Sequence, residues 1–277
     1  RDLLHKKKMT QKLELYCVTN VKVPHLECIP INIGCVSIGD FPPSYIQCNN
    51  GKNIFHKEKY YSELTFHYWY WKNKLDLNNN NWIGFCQKRR LWIKNDSRYK
   101  KINEFNLKEH LLLEPDRKWE GYESIICNKV YVNNVKKIKM LKRGWKSLIK
   151  DPRIFFNSNK QTVKFHFEMH HGSKFLKAAL DQMETDDKQD FNDYLSKRTY
   201  FNPHIMFITK SEILDKWFSK LFPWLERCES TLGFKNLDGM YDTQRLYAFL
   251  SERYLSFWFK KYTKFFEQPW IFYENNS

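Results

Sequence analysis

The chain has 277 residues and a mass of 33.9 kDa, enough for one large domain or two small ones with a sizeable core. A net charge of +16 predicts polyanionic partners: nucleic acid, an anionic membrane face or phosphorylated small molecules. The seven cysteines are scattered without a C-x-x-C pair, which argues against a disulfide framework or a zinc knuckle and favours a reducing compartment. The sequence contains no apolar run of about 18 residues, so we expect no membrane-spanning helix.

Aromatic residues make up 17% of the chain, although its mean hydropathy is only −0.70. We therefore expect a core built largely from Phe, Tyr and Trp, whose polar tips need hydrogen-bond partners when buried. The first residues lack the apolar segment of a secretory signal. We expect residues 1–11 to be a flexible extension or expression-derived residues, and residues 12–277 to form the domain.

Two strands are predicted near the amino terminus. Lys12 to Thr19 alternates between polar and apolar residues and delivers Asn20 to a sheet edge. Ile31 to Gly39 is apolar and forms the second strand. Asp40 to Asn53 is rich in turn residues, which predicts a loop over the same edge.

The stretch from Tyr60 to Trp92 contains an unusual group of cations. It predicts an aromatic helix over Tyr61 to Trp71 with Ser62 as its N-cap, then an asparagine turn and a buried strand over Trp82 to Cys86. This strand runs directly into three cations, Lys88, Arg89 and Arg90. Ligands bind outside the carboxyl ends of strands in open α/β sheets, and Arg suits phosphate, so we predict a diphosphate site here. The alternative is an internal ion pair, for example with Glu63.

The middle of the chain predicts less regular structure. A helix is expected near Leu107 to Leu113, and Trp119 to Val132 has strand character. The strongly basic stretch Lys136 to Lys150 predicts a surface helix or a disordered segment. Its cations form either a solvated face or a contact with a polyanion or membrane.

Residues 162–172, TVKFHFEMHHG, alternate between apolar and titratable residues and predict a strand. One face would then carry a His-x-Glu-x-His row, which could bind a divalent metal. We favour acid/base chemistry or acceptor binding, with Glu168, His170 and His171 as the candidates. The alternative is a partly exposed polar face without a catalytic role.

The last third of the chain predicts a helical region over residues 173–197 and a strand over Tyr200 to Thr209, with Asn202 and His204 near the sheet rim. Ser211 to Cys228 and Asp242 to Phe266 predict helices. Lysines and aromatics alternate at the end of the last helix, which would either lie on an anionic membrane surface or pack on the domain.

Several of these segments together resemble one family. The segments are YYSELTFHYWYWKN, WIGFCQKRRLW, FNPHIMFITKSEI, LFPWLERCE and QRLYAFLSERYLSFW. They resemble the DUF4422 family of capsular polysaccharide and galactofuranosyltransferase-type proteins, roughly from Leu13 to Trp258. Many relatives carry G-x-x-H-Y-R-R-Y-F, whereas this chain has Gln87 and Lys88 in place of the His and Tyr, so the roles of those two residues do not transfer.

The resemblance implies an α/β fold in a single domain: a GT-A-like, Rossmann-related open twisted sheet flanked by helices. It also implies a hexosyltransferase that uses a UDP-linked sugar, with UDP-galactofuranose as one candidate, and a surface-glycan or lipid-linked acceptor. We expect a cytoplasmic protein, with peripheral contact with the inner membrane as an alternative, and no specific nucleic acid.

We assign the predicted site residues to three roles. The catalytic residues are Glu168, His170 and His171. The donor and diphosphate residues are Asn20, Asn53, Tyr61, Glu63, Lys88, Arg89 and Arg90. The acceptor-side residues are Asn202, His204 and Arg245.

Many GT-A enzymes hold a divalent metal with an Asp-x-Asp at the corresponding strand end, and this strand ends in Lys-Arg-Arg instead. We therefore expect fixed cations to replace the metal and no cofactor to be required, with a divalent metal as the alternative. Inversion and retention of configuration both remain open. Two other functions also stay open, a nucleic-acid-binding protein and a non-catalytic glycan-binding subunit.

Overall fold

The computed structural model describes residues 11–235, 237 and 241–274, so residues 1–10 of the predicted extension lie outside it. Within these residues the strands are β1 Leu13–Thr19, β2 Asn32–Cys35, β3 Ile46–Gln47, β4 Trp82–Gln87, β5 Arg90–Trp92, β6 Ser124–Cys127, β7 Val130–Tyr131, β8 Tyr200–Phe201, β9 Phe207–Thr209, β10 Phe265–Gln268 and β11 Trp270–Phe272. The α-helices are α1 Pro24–Glu27, α2 Glu58–Tyr61, α3 Leu64–Asn73, α4 Leu107–His110, α5 Lys137–Arg143, α6 Trp145–Lys150, α7 Val163–His171, α8 Ser173–Asp181, α9 Thr185–Lys197, α10 Ser211–Leu232, α11 Tyr241–Gln244 and α12 Leu246–Tyr262.

One mixed sheet organises these elements, in the order β10-β6-β9-β4-β1-β2-β3. Along this order the pairings are parallel except around β9, which runs antiparallel to both β4 and β6. A tight hairpin joins β4 to β5, and β11 pairs with β5 on the other side. The mixed α/β sheet flanked by helices confirms the predicted fold class.

The sheet separates two apolar cores. The main core packs α3, α10 and α12 against one face of the sheet, with Phe66, Phe218 and Phe259 fully buried. The opposite core contains Trp82 and Trp119 on the other face. Tryptophan and phenylalanine fill both layers, as the composition predicts.

Buried tryptophans in these cores find partners for their indole N–H groups. Trp92 Nε1 donates to the carbonyl of Phe85 over 2.9 Å, and Trp119 Nε1 donates to Gln268 Oε1 over 3.1 Å. Trp217 Nε1 is an exception among the described residues. The core therefore follows the rule that an indole buries its ring and keeps its polar tip bonded.

The stretch predicted as a strand over residues 162–172 is instead the helix α7, so that prediction is wrong. Thr162 caps its start, because the hydroxyl accepts a hydrogen bond from the backbone N–H of Phe165 over 3.3 Å. Gly172 ends it with φ 95°, a left-handed conformation that glycine adopts without a side-chain clash. The caps on both sides favour a helix of this length.

The misleading alternation comes from two apolar stripes on different sides of α7. Val163 and Phe167 are four residues apart and enter the main core. Phe165 and Met169 have the same spacing and enter a separate small cluster under α5 and α6. Two helical stripes offset by two residues produce the same period as a half-buried strand.

Other differences concern where helices begin and end. Ser62 is not the N-cap of the aromatic helix: it lies between α2 and α3 with φ 51°, and Glu63 precedes α3. The helix predicted over residues 107–113 is the single turn α4. The last helix ends at Tyr262, and Phe266 belongs to β10, where it pairs with β6.

The basic stretch over residues 136–150 forms two short helices, α5 and α6, that meet at Gly144. By contrast, the cations at the end of α12 pair within the domain, since Lys261 bonds Asp187 over 2.9 Å and Lys260 lies 3.7 Å from Glu267. In the part of the chain that the structure covers, none of the helices combines the length and apolar character that crossing a bilayer requires.

Candidate functional site

A cavity of about 410 Å³ lies beyond the carboxyl ends of β1, β2 and β4. The parallel register pairs Val18 with Gln87, so the residues that follow β1 and β4 emerge side by side. Asn20 and Lys88 meet there, and Lys88 Nζ donates to Asn20 Oδ1 over 2.6 Å. This is the sheet edge at which open α/β proteins bind their ligands.

The β4–β5 hairpin carries both arginines to the cavity. Arg90 opens β5 directly opposite Phe272 of β11, and the Phe272 ring lies 5.6 Å from its guanidinium carbon. Arg90 also donates to Gln87 Oε1 over 3.1 Å. Arg89 forms an ion pair with Glu274. The backbone carbonyl of Arg89 also accepts a hydrogen bond from the backbone N–H of Tyr273 over 2.8 Å. Strand β11 and the residues that follow it therefore hold the hairpin in place on the side of β5 that faces away from β4.

The break between α2 and α3 forms a second wall. Ser62 turns the chain with φ 51° and ψ −129°, and its hydroxyl accepts a hydrogen bond from the Arg245 guanidinium over 2.8 Å. Arg245 precedes α12 and also lies 4.0 Å from Glu58. A fourth cation is thus placed in the cavity from the far end of the sequence.

His204 and α12 close the cavity. The backbone N–H of His204 donates to Glu252 Oε1 over 2.6 Å, and its ring meets Trp270 edge-on at 4.3 Å. Burial lowers the pKa of His204 to about 4, so the ring is neutral near pH 7. Its Nε2 is buried and has no hydrogen-bond partner among the described residues.

Backbone strain also concentrates here. Ser62 and His204, with φ 51° and φ 69°, are the non-glycine residues with positive φ in the described ranges, and both line the cavity. Such conformations cost about 1–3 kcal/mol each and persist where the surrounding structure enforces them. Their shared location is typical of a functional site.

The charges in the cavity are mixed, with a cationic excess. Four cations line it, Lys88, Arg89, Arg90 and Arg245, against three carboxylates, Glu58, Glu63 and Glu252. Burial and the adjacent arginines Arg89 and Arg245 lower the pKa of Lys88. Burial raises the pKa of Glu58. Burial also acts to raise the pKa of Glu252, but Arg253 and His204 outweigh it and hold that pKa below its ordinary value.

These residues suit an anion better than a metal ion. Divalent metals need convergent oxygen or nitrogen donors, whereas a lysine and two arginines follow β4. Among the described residues, no three His, Cys, Asp or Glu side chains are grouped as metal ligands. A diphosphate, in contrast, would find several cationic donors within one cavity.

Three other predicted residues lie outside the cavity. Asn53 holds its own loop by bonding the carbonyl of Gly51 over 3.0 Å. Tyr61 is buried and donates to Glu229 over 2.8 Å. Asn202 is fully buried and donates to the carbonyl of Cys127 over 2.6 Å. These side chains stabilise the fold around the site.

The predicted catalytic group is not together in the cavity. Glu168 accepts from Ser147 over 3.2 Å and lines a separate depression of about 460 Å³. The His170 ring contacts that of its helical neighbour His166, with the ring centroids 4.7 Å apart and the planes tilted by 47°. His171 stacks on Phe249, a residue of the cavity wall, at 4.1 Å and so lies one layer behind the cavity. Helical geometry separates side chains that a strand would have aligned.

Glu58, Ser62 and Glu252 also line the cavity, although none of them was predicted from the sequence as a site residue. The pair Glu252–Arg253 lies in the middle of α12, whose residues from Leu246 to Phe259 are otherwise mostly apolar or aromatic. A charged pair on a buried helix face indicates a polar site. Ser62 gave no such signal, because positive φ depends on the packing of two helices around it.

Comparison with known proteins gives a family and a fold. A family model described as a domain of unknown function, DUF4422, matches residues 15–264. No curated protein matches this chain in sequence. A solved structure described as the bifunctional glycosyltransferase WbbM in its apo form matches with a TM-score of 0.70 and 17% identity, covering 96% of this chain and 46% of that chain.

This chain therefore spans less than half of the solved glycosyltransferase and shares its fold over that part. The family match extends from the first strand of the sheet to the residue before β10, and so includes every element that lines the cavity. It confirms the resemblance noted in the sequence: the chain belongs to the DUF4422 family.

Proposed function

We propose that this protein is a glycosyltransferase that moves a hexose from a nucleotide-sugar donor to a glycan or lipid-linked acceptor. One observation carries the proposal. Three consecutive cations of the β4–β5 hairpin and Arg245 from the start of α12 converge in a cavity at the carboxyl ends of β1 and β4. The fold, shared with a solved glycosyltransferase, supports it.

The cations would bind the donor's diphosphate. Lys88 and Arg90 are positioned on a braced hairpin, and Arg245 reaches the same cavity from the start of α12. Departure of a sugar leaves negative charge on the diphosphate, and donors fixed in advance stabilise it without reorganising. In this proposal the protein is a GT-A-like enzyme in which fixed cations replace the divalent metal that an Asp-x-Asp motif would hold.

The donor is proposed to be UDP-linked, with UDP-galactofuranose as the specific candidate. This assignment rests on the resemblance to galactofuranosyltransferase-type proteins. The cavity volume of about 410 Å³ lies within the usual range for small-molecule sites.

For an inverting reaction, the acceptor hydroxyl must lose a proton to a base in the cavity. We assign this role to Glu63, which lines the cavity and acts electrostatically on Lys88. Glu252 is engaged by the His204 N–H and by Arg253, so we assign it to positioning. His204 lines the cavity, and we keep it on the acceptor side. Glu168, the earlier candidate, lies in another depression, and Glu168→Gln should keep turnover.

Donor binding is tested by titration calorimetry with UDP. Lys88→Gln should weaken UDP binding about 10-fold or more, since hydrogen bonds to charged groups contribute about 1.5–3 kcal/mol. Lys216→Gln changes an exposed lysine on α10 and is the matched control. Equal UDP affinity in both variants and the wild type would overturn the assignment.

Transfer is tested by incubating the protein with UDP-sugars and a glycan acceptor, with and without EDTA. The fixed-cation site predicts transfer that survives chelation. Loss of transfer that Mn²⁺ or Mg²⁺ restores would contradict it. The anomeric configuration of the product decides between inversion and retention, and retention would remove the need for Glu63 as a base.

A further inference from the structure

The surface formed by α5 and α6 has an unusual charge. Residues 136–150 carry seven cations and no carboxylate. These cations are Lys136, Lys137, Lys139, Lys142, Arg143, Lys146 and Lys150. Like charges repel, so a cluster of seven cations without a carboxylate does not stabilise the fold. The cluster therefore suggests a partner outside the chain.

The two helices are apolar on their inner side. Met140 is buried, and it packs in the small cluster with Phe165 and Met169 of α7. Gly144 joins the helices where a side chain would meet Phe165, since an added Cβ would lie 3.1 Å from its ring. These contacts attach α5 and α6 to the domain.

The outer side of α5 and α6 is apolar as well. Four large side chains are between 51% and 71% exposed, and they are Ile138, Leu141, Trp145 and Ile149. Ile138 and Leu141 are three residues apart on α5, and Trp145 and Ile149 are four residues apart on α6, so each helix presents an exposed apolar pair. The two pairs together form the apolar stripe of this surface. Phe156, which follows shortly after α6, is also exposed. Exposed apolar groups of this size in one stripe mark an interaction surface.

We propose that α5 and α6 dock this protein on the surface of an anionic lipid bilayer. Aliphatic and tryptophan side chains would enter the boundary between headgroups and acyl chains, and the flanking lysines would contact anionic headgroups. Nucleic acid fits less well, since Ile and Leu neither stack on bases nor bond phosphates. An acidic protein surface also fits less well, because its carboxylates would pair with the lysines but would not cover the exposed apolar side chains.

The positive charge extends beyond the two helices. Lys150 belongs both to α6 and to the rim of a depression with an excess of cations. Its other lysines are Lys164, Lys174, Lys177 and Lys188, against the two carboxylates Glu168 and Asp181. The depression adds cations beside the apolar stripe, which increases the expected attraction to an anionic surface.

The docking surface also lies close to the candidate site. Arg143 at the end of α5 donates to Asp242 over 2.8 Å. The Asp242 carbonyl contacts the ring of His171, which stacks on Phe249 in the cavity wall. A docked protein would therefore hold its cavity near the membrane. Docking itself does not depend on the proposed transferase activity.

Vesicle co-sedimentation tests the proposal with the full chain. Vesicles of phosphatidylcholine containing roughly one-quarter phosphatidylglycerol should pellet the protein, and pure phosphatidylcholine should pellet far less of it. The double variant Leu141→Ser/Trp145→Ser should lower the pelleted fraction about 5-fold or more, because it removes half of the stripe. Both side chains are exposed, so the variant should keep its circular dichroism spectrum and melting temperature.

Two further variants test whether vesicle binding depends on α5 and α6. Phe105→Ser changes a 96% exposed aromatic away from α5 and α6 and should sediment like the wild type. Lys137→Glu/Lys146→Glu should also lose vesicle binding, by reversing the charge beside the stripe. Equal sedimentation of all variants would overturn the proposal. Binding to a homopolymeric RNA without binding to vesicles would overturn it too, in favour of a nucleic-acid surface.

Discussion

His67 provides a prediction about pH and stability. The ring of this α3 residue is 1% exposed and packs against Phe85, Phe207 and Phe218, with ring centroids 4.3–5.9 Å away. Neither ring nitrogen has a hydrogen-bond partner among the described residues. Burial lowers the pKa of His67 from 6.5 to about 3, so the folded protein keeps this ring neutral.

As pH falls, His67 takes up a proton in the unfolded chain before it does so in the folded protein, because its pKa is higher in the unfolded chain. The contribution of neutral His67 to stability is therefore complete above about pH 6.5 and is lost progressively toward about pH 3. Each pKa unit corresponds to about 1.4 kcal/mol, so His67 should cost the folded state about 2 kcal/mol at pH 5 relative to pH 7.5. His67→Phe removes the titrating group and suits the aromatic surroundings.

Urea unfolding followed by tryptophan fluorescence, at about pH 7.5 and about pH 5, measures the difference. The wild type should lose about 2 kcal/mol more than His67→Phe between the two conditions. His56→Gln, which changes an exposed histidine, should retain the wild-type loss. Equal losses in the wild type and His67→Phe would refute the reasoning, because they would mean that His67 takes up its proton equally in both states.

Three other predictions concern strain, packing and a reassigned residue. Ser62→Gly should raise the free energy of unfolding by about 1 kcal/mol relative to Ser62→Ala, because both lose the hydroxyl and only glycine relieves the positive φ; equal stabilities in thermal denaturation would contradict this. Gly84→Ala should cost about 1–3 kcal/mol, since its Cβ would lie 2.6 Å from Leu15; an unchanged urea midpoint would contradict this. Asn202→Ala should lower the melting temperature by leaving the buried Cys127 carbonyl and Ser256 hydroxyl without their side-chain partner; a changed acceptor preference at unchanged stability would restore its predicted acceptor role.

Local patterns were enough to predict the sheet edge of the site. Alternation of polar and apolar residues predicted β1, and an apolar run predicted β4. The rule for ligand sites at strand ends placed Asn20 and Lys88 at one edge, where the structure also has them. The hairpin arginines followed from the same reasoning. These residues lie next to strands whose period is visible in the sequence, so their position needs no knowledge of distant contacts.

The remaining wall of the cavity depends on long-range packing. Arg245 reaches Ser62 across 183 residues, and Glu252 bonds His204 across 48 residues. The periodicity of apolar residues along the sequence does not predict contacts between residues so far apart. The same limit explains α7, where one helix packs into two separate clusters and its two stripes produce a strand-like alternation.

Strand β11 has a consequence for how the protein matures. Glu274 and Arg89, which it brings together, are 185 residues apart. A ribosome therefore makes the arginine hairpin long before the segment that braces it. Until that segment emerges, Arg89 lacks its partner Glu274 and β5 lacks its neighbour β11, so the hairpin should reach its final conformation only after most of the main core has been made.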